Sequence, residues 1–117
     1  MSEQRHTFTA DTQVAVHGYS DDTFGVYWGN TGDDDDDSAS GRERWVRMHF
    51  PDGSGLIFRG QHCAAGWVVG CAPVDEDKPV PPLVCEQRQH TMAFVFTAPA
   101  GTKFVLWSGA FDRKVLP

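Results

Sequence analysis

Cysteine is scarce in this chain, at three residues in 117. An odd count cannot close into a disulfide framework. Cys63, Cys71 and Cys85 are therefore read as thiols in a reducing, cytoplasmic setting, with Cys63 and Cys71 flanking a hairpin across which oxidation could pair them. Long apolar runs are missing too. Stretches such as Trp67-Val68-Val69 and Ala93-Phe94-Val95-Phe96 fall far short of the roughly 20 residues that cross a bilayer. The polar opening Met1-Ser2-Glu3-Gln4-Arg5-His6 has no apolar segment behind it, so neither a secretory leader nor a membrane anchor is expected. Asn30-Thr31-Gly32 fails as a glycosylation sequon at its third position. Basic residues are in the minority, 10 Lys and Arg against 16 Asp and Glu, for a formal charge of -6. Such a chain repels phosphate backbones unless a basic face is concealed in it, so nucleic acid is not expected as a partner.

Motifs of enzyme chemistry are absent as well. No CxxC pair or HExxH stands in the sequence, so zinc spacing is not met. Gly53-Ser54-Gly55 lacks the outer residues of a nucleophile elbow and sits in a turn sequence between strands. His62-Cys63 and Cys85 with His90 can be written as thiol–imidazole pairs, but neither has an oxyanion or third-member context. The run Cys85, His90, Met92 resembles the C-terminal ligand loop of the cupredoxins over eight residues. That resemblance implies a copper site completed by an upstream His. The gap from His90 to Met92 is shorter than in that family, and Met92 alternates with Phe94 as a core residue would. No catalytic residue is assigned, and the domain is read as non-enzymatic.

What is present is a globular composition with 40% hydrophobic and 12% aromatic residues, in one domain's length of chain. Period-two alternation replaces helical periodicity. Val46, Met48 and Phe50 share one side of their segment, with Trp45, Arg47 and His49 opposite. Twelve Gly and seven Pro punctuate short apolar runs. Pro51-Asp52-Gly53-Ser54-Gly55 and Ala98-Pro99-Ala100-Gly101-Thr102 carry hairpin chemistry. The reading is a single all-β domain over 1–117, an antiparallel β-sandwich or jelly-roll-like barrel. About eight strands are expected, near 7–10, 13–17, 23–28, 42–50, 56–59, 67–72, 91–98 and 103–107, with a ninth at 111–116. Residues 83–90 lean towards strand, and 60–66 towards a single helical turn. The expected core is Val14, Val16, Phe24, Val26, Trp28, Val46, Met48, Phe50, Ile57, Val68, Met92, Phe94, Phe96, Phe104 and Leu106.

Two segments are read as loops, an acidic one at 29–41 and a Pro-rich acidic one at 73–82. The first holds Asp33, Asp34, Asp35, Asp36 and Asp37, five of the sixteen acids. Such a block offers a solvated surface, a nucleic-acid mimic acting as an inhibitor of a basic partner, or oxygen ligands for calcium in a lectin-like module. Calcium there is the one cofactor the sequence offers. The EF-hand pattern is not met, because Ser38 stands where Gly is needed and Arg44 where the closing Glu belongs. The aromatics Tyr19, Tyr27, Trp45, Trp67 and Trp107 fall opposite the expected core or at strand ends, and the candidate working surface is Trp45, Arg47 and His49 with Tyr27 and Trp67. A Trp beside Arg suits a protein partner, a second copy of the chain in a homo-oligomer, or a sugar ring.

Overall fold

The computed structural model describes residues 2–18, 23–29, 35–40, 43–63, 66–88 and 91–108. These residues form ten strands: β1 (Ser2–Thr7), β2 (Thr12–Gly18), β3 (Thr23–Trp28), β4 (Asp35–Ser40), β5 (Glu43–His49), β6 (Gly55–Cys63), β7 (Gly66–Pro73), β8 (Val84–Arg88), β9 (Thr91–Ala98) and β10 (Lys103–Ser108). All pairings are antiparallel, in two sheets ordered β1-β10-β5-β6-β7 and β4-β3-β2-β9-β8. The sheets face each other as a β-sandwich, with β10 against β4, β5 against β3, and β7 against β9. Among the described residues the two sheets are not joined by strand pairing.

The turn chemistry acts as the sequence implies. Gly53 and Gly101 take φ of 90° and 91°, conformations that a side chain would strain. The Phe50 amide donates to Ser54 O at 2.9 Å, and the Gly53 amide to Phe50 O at 3.0 Å, closing the β5–β6 hairpin. The Gly101 amide reaches Phe8 O at 2.8 Å.

The core fills the space between the sheets. Val14, Val16, Phe24, Val26, Val46, Met48, Phe50, Phe96, Phe104 and Leu106 are buried there as expected, with Trp28 and Phe94 half-buried against them. Two expectations fail by one residue, and a third by its place at the end of a strand. Leu56 and Phe58 face inwards while Ile57 faces out, because β6 pairs Leu56 with Met48 and Phe58 with Val46. Trp67 faces inwards and Val68 is 62% exposed, because β7 pairs Trp67 with His62 in the same phase. Met92 lies at the end of the inner row and is 41% exposed. Unbroken apolar runs carry no phase of their own, so pairing with the neighbour decides the face.

Element boundaries differ in three places. The first strand is Ser2–Thr7, not 7–10. It pairs along its whole length with β10. The acidic loop at 29–41 is in part strand, since Asp35–Ser40 pairs with β3 from Trp28↔Asp35 to Thr23↔Ser40. Asp is a poor strand former, yet a strand that pairs on one side only among the described residues accepts it, and charge discourages further pairing. The helical turn expected at 60–66 is replaced by the ends of β6 and β7, which pair up to Cys63↔Gly66. Val84–Arg88 is a strand, as residues 83–90 suggested. The ninth strand expected at 111–116 lies outside the described residues.

Gly18 shows how close the packing is. A Cβ there would fall inside the Trp67 indole. Gly18→Ala is expected to destabilise the domain by roughly 1–3 kcal/mol, the usual cost of overpacking a filled core. Urea denaturation checks this, and a neutral result would mean that Trp67 does not seat against β2.

Candidate functional site

The outward face of the sheet β1-β10-β5-β6-β7 gathers the charged and aromatic residues that the alternation leaves outside the core. Register builds it in rows. Trp107 pairs with Trp45, and Trp45 with Arg59. In the next row Arg5 pairs with Val105, Val105 with Arg47, and Arg47 with Ile57. In the third, Thr7 pairs with Lys103 and Lys103 with His49. Four strands thus contribute Arg5, Arg47, Arg59 and Lys103 to one face of a chain whose net charge is -6. Glu3 and Glu43 hold register positions at the row end beside Trp107 and Gln61. Arg44 is buried on the other side of β5 and takes no part in this face.

The aromatics are the floor of this face. Trp45, Val105 and Trp107 form a separate buried cluster with Ile57 against it. Trp45 is 9% and Trp107 4% exposed, so the indoles do not present open planes. The Arg59 guanidinium carbon lies 5.2 Å from the centroid of the Trp45 ring, within cation–π range. Arg59, Arg5 and Lys103 are exposed, while Arg47 and His49 are half-buried. The Arg47 Nε and the Trp107 indole nitrogen are buried with no hydrogen-bond partner among the described residues. Burial lowers the Arg47 pKa.

His49 reports on the local field. Burial, and then the positive charges of Arg47, Arg5 and Lys103, lower its pKa below the ordinary 6.5. The native imidazole is therefore neutral where the unfolded chain begins to take up a proton. Stability contributed by the neutral ring is present above pH 6.5 and is lost as pH falls through that value towards the folded pKa. Thermal melting is expected to give a lower Tm at about pH 5.5 than at about pH 7.5, with the difference reduced in His49→Gln. An unchanged pH slope in that variant would show that His49 does not feel the three cations.

Of the residues expected at a working surface, the structure brings together Trp45, Arg47 and His49. Trp67 is a correction. It sits in the inner core, its ring 5.5 Å from Phe24 and 5.2 Å from His62 between centroids. Tyr27 is on the other sheet, its ring 4.4 Å from His17, so it is not a neighbour of Trp45. Asp35, Asp36 and Asp37 belong to edge strand β4, and Asp33 and Asp34 lie outside the described residues. Sequence reasoning missed Arg5, Arg59, Lys103 and Val105 as members of one face, and set Trp107 opposite the core without including it in the working surface. Within Lys103–Trp107 the alternation was visible, but which strands lie beside it was not.

Among the described residues, no group of three or more His, Cys, Asp or Glu converges as a metal site. Cys85 is exposed on β8, beside Phe94 of β9, and His90 lies outside the described residues. Cys71 is half-buried, and burial pushes its thiol up to about 12. It is therefore protonated and inert near neutral pH. No described helix is long and apolar enough to cross a membrane. Comparison with family models, curated proteins and solved structures gave no match.

Proposed function

We propose that the chain is a binding domain whose outward β1-β10-β5-β6-β7 face takes an extended acidic segment of a protein partner. One observation carries the reading. Arg59, Arg47 and Lys103 stand on three adjacent strands, each one row on from the last, over a floor of two tryptophans. Strand spacing and rise place successive Cα atoms of this diagonal roughly 8 Å apart. Alternate side chains of an extended peptide lie about 7 Å apart, so carboxylates at every second residue meet successive cations. Arginine favours this role because its planar fork binds carboxylates with two hydrogen bonds. Arg59 is held by the Trp45 ring, so less of its freedom is lost on binding.

The covered indoles weigh against sugar stacking, which needs an open aromatic plane. The chain's own Asp33–Asp37 block has the chemistry that the face accepts, so a second copy is one form the partner can take.

Fluorescence anisotropy with a labelled peptide of alternating Asp and Glu tests the reading. Binding is expected to weaken as salt is raised from about 50 to 300 mM. The double variant Arg59→Glu, Lys103→Glu changes two exposed side chains and is expected to lower affinity at least about tenfold, ~1.4 kcal/mol. Equal affinity in that variant removes the proposal. Tighter binding of an oligothymidylate of equal charge replaces the protein partner by nucleic acid. Salt-sensitive self-association that disappears when Asp33–Asp37 are changed to serine identifies the second copy.

A further inference from the structure

A second, separate surface lies where the β5–β6 turn, the segment after β7 and the β9–β10 turn meet. They enclose an open groove of about 350 Å³. Its walls are Pro51, Pro79, Pro81 and Pro99, and Phe50 and Val80 lie beneath them. Phe50 is buried in the core and Val80 packs against it, so the floor is anchored in the sandwich. We propose that this groove binds a peptide segment that sets an apolar side chain beside lysine or arginine.

Four features support that class of ligand. The volume lies at the low end for ligand pockets, enough for one or two side chains rather than a cofactor. Proline rings fix their backbone angles, so the walls lose little freedom when a ligand seats. Prolines also carry no amide hydrogen, so the wall backbone offers acceptors to a ligand's donors. The fourth feature is charge. Asp52 lines the groove, its carboxylate accepting from Ser54 Oγ at 2.5 Å and from the Ser54 amide at 2.9 Å. Those bonds lower its pKa and keep it ionised. Asp11 receives the Ala100 amide at 2.9 Å beside Pro99. Asp75, Glu76 and Asp77 are exposed in the turn that runs into Pro79. Against these stand two cations, Lys78 with its Nζ 3.5 Å from Gly53 O, and Lys103 on the outward side of β10. An apolar slot with an acidic rim suits an apolar anchor flanked by positive charge.

The test is amide chemical-shift titration of the full-length labelled protein with three probes: acetyl-Lys-Phe-Lys-amide, acetyl-Lys-Ser-Lys-amide and acetyl-Glu-Phe-Glu-amide. The first is expected to move the amides of Gly53, Val80 and Ala100 and to bind roughly tenfold more tightly than either of the others. Glu76→Lys with Asp77→Lys reverses two exposed charges, and the spread of the amide spectrum reports that the variant is folded. It is expected to weaken the first probe about tenfold. Absence of shifts at those amides, equal affinity for the glutamate probe, or unchanged affinity in the double variant overturns the proposal. Affinities are read only from the amides of Gly53, Val80 and Ala100, so binding of the glutamate probe at the cationic sheet face, which shifts other amides, is scored separately and either site can fail without the other.

Discussion

Phe58→Ala is expected to lower the stability of the domain by about 3–5 kcal/mol, the usual cost of removing a fully buried aromatic ring. Phe58 is 0% exposed, near the middle of β6. Its ring is stacked on Phe96 with centroids 5.8 Å apart and planes at 8°, and it lies 5.8 Å from Phe94. It therefore bridges the two sheets, and no neighbour can follow it inwards without leaving its own strand. For a domain of this size the loss corresponds to a fall in Tm of roughly 15 °C. Phe94 is half-buried, so Phe94→Ala is expected to cost less. Thermal and urea denaturation of the two variants check the order. A Phe58→Ala loss below about 1 kcal/mol would mean that β6 is paired one residue out of phase.

Trp45→Ala is the second large effect, expected at about 3 kcal/mol, the low end for a buried aromatic ring. The ring belongs to the cluster of Val105 and Trp107 and lies under the Arg59 guanidinium. Val105, Trp107, Ile57 and Arg59, which pack against it, all belong to its own sheet, so neighbouring side chains and solvent are expected to recover part of the cavity. Trp45→Phe keeps an apolar ring there and is expected to retain most of the stability. The arginines above are the contact groups, so the loss of Trp45 acts on binding through their position. A stable, well-folded Trp45→Ala protein that loses only partner affinity would move the contact role back to the indole.

The contrast between Trp45 and Trp67 shows what the sequence made legible. Around Trp45 the pattern Trp-Val-Arg-Met-His-Phe alternates polarity residue by residue, and the face could be read directly. Around Trp67 three apolar residues run together, and the phase came only from pairing with β6. The same holds for Leu56-Ile57-Phe58. The hairpin turns were legible because Pro and Gly fix local angles without help from the rest of the chain. Strand β4 was not legible, since Asp and Ser give no strand signal and only the edge of a sheet made room for them. The cationic face was hidden for a different reason. Arg5, Arg47, Arg59 and Lys103 are up to 98 positions apart in sequence and meet only once strand order is known. A net charge says nothing about how charge is distributed.

Strand β4 has a consequence for the protein at high concentration. Among the described residues its outer side pairs with no strand, the kind of margin along which identical molecules can zip into ribbons. The consecutive Asp35, Asp36 and Asp37 give that margin a formal charge at every residue of one half, so like molecules approaching along it repel. The safeguard is conditional. Acid that protonates the carboxylates, or salt that shortens their reach, leaves the ladder open to lateral growth.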